Sequence, residues 1–165
     1  MAPRPTFTRW ETPVSDARSL ALVSLSDEGG ALRITLQDLR DPECRRFTLT
    51  VGQPPAYRNI MEEYRSSEDA GGRGLGWTRV SDDSEWLAKL RNTERLLDVY
   101  EPGCRHYRIT TKDDVIDVLS NVEPTFTEVE PASADEPVPG KSTILHHPDD
   151  EDRLNAWLAG ESLPE

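Results

Sequence analysis

The stretch that decides the fold is RHYRITTKDDVIDVLS, residues 105–120. Residues 105–111 and 115–120 are two strand-like runs rich in β-branched and aromatic side chains, and Lys112-Asp113 lies between the two runs. β-Branched and aromatic residues are typical of strands, and two such runs around a short polar turn form a hairpin. The stretch therefore predicts an antiparallel β-hairpin.

The region between residues 19 and 51 predicts a second antiparallel unit. Residues 19–26 and 32–36 form strand-like runs on either side of Asp27-Glu28-Gly29-Gly30, whose composition is that of a hairpin turn. A third alternating run follows at residues 45–51. An antiparallel meander with one face in water explains this pattern best.

Helical patterns occur at three places. The apolar residues of the stretch 57–64 recur at i, i+3, i+4 and i+7, which predicts a short amphipathic helix. Asp82, with Glu85 three residues later, has the form of a capping box and predicts the start of a second helix. Residues 149–160 predict a last helix, because acids precede apolar residues at helical spacing.

Composition divides the chain. Residues 1–122 predict one α+β domain with an antiparallel sheet and two or three short helices. Residues 123–148 combine prolines with acids and predict a linker, because such a segment cannot bury enough apolar area to order itself. With the helix at 149–160, this linker forms the predicted acidic C-terminal tail.

The net charge of −12 is placed unevenly. Residues 123–165 hold 11 acidic and two basic residues, a net charge of −9. Nucleic-acid binding is disfavoured, because it needs cationic surface to neutralise phosphates. A negative surface favours a basic protein partner, since opposite charge accelerates and selects the encounter. Acidity that only keeps the chain soluble is the alternative.

Cysteine usage and hydropathy suggest a cellular location. Cys44 and Cys104 form no C-x-x-C pair and no disulfide framework. The Pro-rich residues 1–16 lack the apolar run of a signal peptide, and no run reaches the ~18 apolar residues of a membrane span. We therefore expect a cytoplasmic protein with free thiols and no membrane contact.

Each candidate for catalytic or ligand chemistry has a simpler explanation. GRGLG at 72–76 lacks the ending of a P-loop. His146-His147 and the acids at 149–152 lack a third nitrogen or sulfur ligand and the EF-hand spacing. Cys104 and His106 share a strand face, but a Cys/His hydrolase also needs an orienting group and an oxyanion hole. We predict no catalytic residue, no cofactor and no metal.

Several short stretches recur together in a known kind of protein: AYR at 56–58 with Glu62, SEWL at 84–87, HYRITT at 106–111, DVLS at 117–120 and EP at 123–124. They resemble a group of small bacterial immunity-like proteins associated with toxin systems. The resemblance spans residues 20–126 and leaves out the acidic tail. It implies a small β-rich domain that binds a cognate toxin, blocks its active site and performs no chemistry.

The predicted partner-binding residues are acids and tryptophans, because tight protein pairs use desolvated aromatic and charged anchors. The candidates are Asp82, Asp83 and Trp77 in the domain, and Asp149, Asp150, Glu151, Asp152 and Trp157 in the tail. Two alternatives remain open at this point. One is a small acidic adaptor that binds another basic partner, and the other is an enzyme with no recognisable motif.

Overall fold

Two antiparallel sheets and two short helices form the fold in the computed structural model, which describes residues 6–61 and 74–139. The strands are β1 (Thr8–Arg9), β2 (Leu20–Glu28), β3 (Ala31–Asp38), β4 (Arg46–Gly52), β5 (Ala56–Met61), β6 (Thr78–Ser81), β7 (Arg105–Thr110), β8 (Asp114–Ser120) and β9 (Thr125–Val129). The helices are α1 (Glu85–Thr93) and α2 (Leu97–Tyr100). The prediction of an antiparallel fold with short helices is confirmed, although the strands divide into two sheets.

Sheet I has the strand order β2-β3-β4-β9 and contains the predicted meander. Its first hairpin turns at Gly29 and Gly30, whose φ angles are +60° and +76°. Two consecutive residues with positive φ match the right-handed twist of the flanking strands, and glycine adopts this conformation without a steric penalty. Along β3, Leu32, Ile34 and Leu36 are buried, as the alternation predicts.

Sheet II has the order β1-β6-β7-β8-β5 and contains the predicted hairpin as β7 and β8. One face of this hairpin packs against sheet I through Tyr107, Ile109, Ile116 and Val118. Its opposite face is covered by α1 and α2, which pack on Leu119. Sheet II is therefore the middle layer of the molecule, between sheet I and the helices.

Trp10 fixes the N-terminal segment to the core between the sheets. Its ring lies 4.9 Å from that of Tyr107 and 5.5 Å from that of Phe126. The indole N–H donates a hydrogen bond of 2.9 Å to Glu123. Each large side chain buried here stabilises the fold by roughly 1.5–3 kcal/mol.

Residues 56–61 form strand β5, so the predicted helix at 57–64 is wrong for the part that the structure describes. β5 pairs along its length with β8 at the edge of sheet II. The helical spacing of its apolar residues is a coincidence, because the side chains alternate between half-buried and exposed. Pro54-Pro55 favour an extended backbone before the strand, and β8 then provides its hydrogen bonds.

Strand β9 lies inside the predicted linker, so the domain boundary after residue 122 is wrong. β9 pairs with β4 and completes sheet I. The Pro and acid content hides this strand in the sequence, but Phe126 packs against the core and makes the pairing favourable. Residues 130–139 hold no helix or strand, and the predicted helix at 149–160 lies outside the described residues.

Helix α1 begins after Ser84, and not at the predicted cap Asp82. The Ser84 hydroxyl oxygen accepts the backbone N–H of Leu87 at 3.1 Å, the bond of a serine N-cap. Leu87 then points into the core and is completely buried. Neither α1 nor α2, the helices of the described ranges, has the length and apolar character that crossing a membrane requires.

Candidate functional site

The predicted partner-binding residues of the domain lie at opposite ends of β6. Asp82 and Asp83 are exposed, and Asp82 forms an ion pair of 2.6 Å with Arg105. Trp77 packs against the core between the sheets, and its indole N–H donates to the carbonyl of Ala17. Trp77 is therefore held by its own domain, whereas the two acids face solvent.

The remaining candidates belong to the tail. Asp149, Asp150, Glu151, Asp152 and Trp157 all lie outside the described residues. The sequence prediction for them stays a prediction.

A buried polar cluster between sheet II and α1 is the main feature that sequence analysis missed. Asp117 of β8 lies at its centre and accepts hydrogen bonds from His106 Nε2 (2.7 Å), Arg108 Nε (2.7 Å) and Arg58 Nε (2.8 Å). Asp117, His106 and Arg108 are almost completely buried, while the Arg58 side chain remains 33% exposed. Two guanidinium groups thus share one carboxylate.

The cluster keeps Asp117 ionised. Burial raises the pKa of this carboxyl, but the hydrogen bonds from His106 and Arg108 outweigh burial, so its pKa lies well below the usual range. Aromatic rings cover the two cations. The Arg108 guanidinium lies 4.6 Å from the Phe7 ring centre, and that of Arg58 lies 4.5 Å from Trp86. Stacking of this kind stabilises a cation that has lost part of its hydration.

Ser84, His106 and Asp117 form a hydrogen-bonded chain with the composition of a hydrolase triad. His106 Nδ1 lies 2.7 Å from the Ser84 oxygen. That oxygen also accepts the Leu87 N–H and is completely buried, so no substrate can reach it in this conformation. The hydrogen bonds between Ser84, His106 and Asp117 therefore fix the start of α1 on sheet II, which is a structural role.

The sequence contains a usable indication of this cluster. A hairpin with a two-residue turn at Lys112-Asp113 places Arg108 directly opposite Asp117, and this is the register that the structure has. Residue His106 shares the face of Arg108, because it lies two positions away on the same strand. Two cationic side chains around one acid on an otherwise apolar hairpin predict a buried ion pair.

Cys104 is not activated. Burial raises the pKa of its thiol to about 11, although the positive charge of Arg91 acts in the opposite direction. A neutral thiol is a poor nucleophile. The combination of Cys104 with His106 therefore lacks the thiolate that Cys/His catalysis needs.

An open cleft of about 400 Å³ lies between the N-terminal segment and the β3–β4 connection. Its acids are already engaged. Asp38 accepts the backbone N–H groups of Arg18, Ser19 and Arg40, and Asp41 pairs with Arg45 at 2.8 Å. The cleft has equal numbers of acidic and basic residues in its lining, so its charge favours no particular class of ligand.

The surface acids are concentrated in the second half of the described chain. Residues 74–139 hold 14 acidic and seven basic residues, and 11 of the acids but only two of the bases are exposed. Residues 6–61 hold seven of each, of which five acids and four bases are exposed. The negative surface therefore belongs to the part of the chain from β6 to β9.

Comparisons with known proteins give no identification. No family model, curated protein or solved structure matches the chain.

Proposed function

We propose that the chain is a cytoplasmic, non-catalytic binding protein whose partner is a basic toxin domain that it neutralises. The observation that carries this proposal is the excess of exposed acids over exposed bases in residues 74–139. A surface of one charge raises the association rate with a partner of the opposite charge and repels partners of the same charge. Toxins that cut nucleic acids have cationic clefts, because their substrates are polyanions.

The buried cluster supports binding over catalysis. Its serine caps α1, its histidine is enclosed, and its carboxylate is shared among three donors. Side chains fixed in this way hold a rigid scaffold, and a rigid scaffold lowers the entropy lost when a surface binds.

Rescue by coexpression tests the proposal. The chain is expressed together with the product of each gene adjacent to its own, and survival of the host is scored. Rescue from one toxic product supports neutralisation. An adjacent product that binds the chain without being toxic would instead favour the adaptor function, and the absence of both binding and rescue would refute the proposal.

Stoichiometry separates a binding protein from an enzyme. Residual toxin activity is titrated with increasing amounts of the purified chain. A binding inhibitor removes activity in proportion and reaches completion at one molecule per toxin. Complete inactivation by a small fraction of an equivalent would show turnover and would contradict the non-catalytic part of the proposal.

A further inference from the structure

The outward face of α2 is apolar. Leu96, Val99 and Tyr100 are 61%, 68% and 72% exposed, and they are three of the four most exposed large apolar side chains among the described residues. Their spacing of i, i+3 and i+4 places them on one side of the helix. Leu97 points the other way and is buried in the cluster that packs on sheet II.

This orientation is unusual for a short surface helix. An amphipathic helix normally turns its apolar stripe toward the core and its polar residues toward water. In α2 a single residue faces the core, while three large apolar residues face solvent. A group of exposed apolar side chains with a polar rim is typical of a protein–protein contact surface.

The rim of this patch is acidic. Glu94, Asp98 and Glu101 flank the apolar residues, with Arg95 as the basic residue of the stretch 94–101. Asp98 forms an ion pair of 2.9 Å with Arg91 of α1. The eight residues carry a net charge of −2, so the patch complements an apolar surface surrounded by lysine or arginine.

We infer that Leu96, Val99 and Tyr100 form the surface on which a basic protein partner docks, with Tyr100 as its central anchor. This inference rests on the proposed function, because it assigns the contact surface of that same partner. Tyrosine is a frequent anchor in such interfaces, since a rigid ring buries a large area and its hydroxyl finds a polar partner. The acids at the rim guide the encounter and meet the cations around the partner's apolar centre.

Substitution of the apolar patch tests the anchor. The full chain carrying Val99→Ser and Tyr100→Ala is measured against the adjacent-gene toxin that the wild type neutralises. Its Kd should rise at least ~30-fold, because loss of a central aromatic anchor has an effect of this size. The matched control is Val138→Ser. It removes a 45% exposed valine two residues from Glu136, which pairs with Arg46 of sheet I, and its Kd should change less than about twofold.

The outcomes separate this inference from the proposed function. If the wild type binds and the double variant binds within about twofold of it, the patch is not the docking surface, while the proposed function stands. If the wild type neither binds nor rescues, both fail.

Charge reversal tests the rim. Glu94→Lys with Glu101→Lys should slow association several-fold at low salt, and the effect should fade at high salt, where exposed charges are screened. The control is Asp113→Lys on the β7–β8 turn with Glu128→Lys on β9, which changes the net charge by the same amount and should leave the association rate near that of the wild type. Equal slowing by both variants would show that net charge acts alone and that the rim has no special role.

Two other occupants of the patch give different results. If a segment of the same chain covers α2, the double variant loses more than about 2 °C in Tm, since it then removes a folded-state contact. If a second copy covers it, the wild type sediments as a dimer and the double variant as a monomer. Either result would overturn docking of a basic partner, for which we expect an unchanged Tm and a wild-type monomer.

Discussion

Removal of the Asp117 carboxylate should destabilise the domain far more than removal of a surface acid. Asp117→Asn keeps the size of the side chain but removes the negative charge that the guanidinium groups of Arg58 and Arg108 share. Breaking a buried ion pair by changing one partner costs about 3–5 kcal/mol. That is a large part of the 5–15 kcal/mol that stabilises a typical domain. The neighbouring acid Asp113 provides a matched control, because it pairs with Lys112 at 2.7 Å and is 46% exposed.

The measurement is urea unfolding followed by tryptophan fluorescence. Asp117→Asn should lose about 3–5 kcal/mol in the free energy of unfolding, whereas Asp113→Asn should lose less than ~1 kcal/mol, since exposed pairs contribute little. Equal m-values would show that both variants unfold from the same native state. A loss of less than ~1 kcal/mol for Asp117→Asn would refute the idea that its charge holds the cluster together.

The same carboxylate sets a pH dependence with a definite sign. Its pKa is lower in the folded state than in the unfolded state. The stabilisation is therefore complete above the unfolded pKa of about 3.9 and is lost as the pH falls below it. In that range the stability difference between the wild type and Asp117→Asn should shrink by about 1.4 kcal/mol per pH unit. Parallel stability curves for the two proteins would contradict this assignment.

Three further predictions concern single positions. Ser84→Ala should lower the free energy of unfolding by about 1–3 kcal/mol in urea, because it removes the cap of α1 and a partner of the buried histidine. Native Cys104 should resist alkylation at pH 8, while the more exposed Cys44 reacts. The labelling rates are followed by mass spectrometry, and equal rates for the two thiols would disprove the burial of Cys104. Gly76→Ala should lower Tm more than Gly74→Ala, although both residues have positive φ. Of these two, only Gly76 would place a Cβ 2.6 Å from a backbone oxygen, and an equal loss of Tm in the two variants would refute this reasoning.

The two hairpins could be predicted from the sequence because their information is local. Strand-forming residues around a short polar turn define β7 and β8, and Gly29-Gly30 defines the turn of β2 and β3. Strands β5 and β9 could not be predicted in this way. Each pairs with a strand far away in the sequence, and its own residues carry a helix-like or linker-like pattern that tertiary pairing overrides.

The candidate surface shows the same division. Net acidity predicts a partner of positive charge, and this stays a prediction; among the described residues the exposed acids outnumber the exposed bases. The location of the patch does not follow from the sequence, because the apolar residues of α2 would ordinarily be assigned to the core. Trp77 illustrates the opposite case. The sequence predicts it as a partner anchor, but its indole N–H donates a hydrogen bond to the carbonyl of Ala17 in the same domain.

The late position of β9 has a consequence for biosynthesis. Sheet I cannot be completed until residue 129 has left the ribosome, since β9 is the edge strand that pairs with β4. The Trp10–Glu123 hydrogen bond likewise joins groups 113 residues apart. Until then the nascent chain exposes the edge of β4, a strand that is internal in the finished sheet, and non-local pairings of this kind form slowly. Substitutions in β9 should therefore reduce the yield of folded protein in the cell through aggregation during translation.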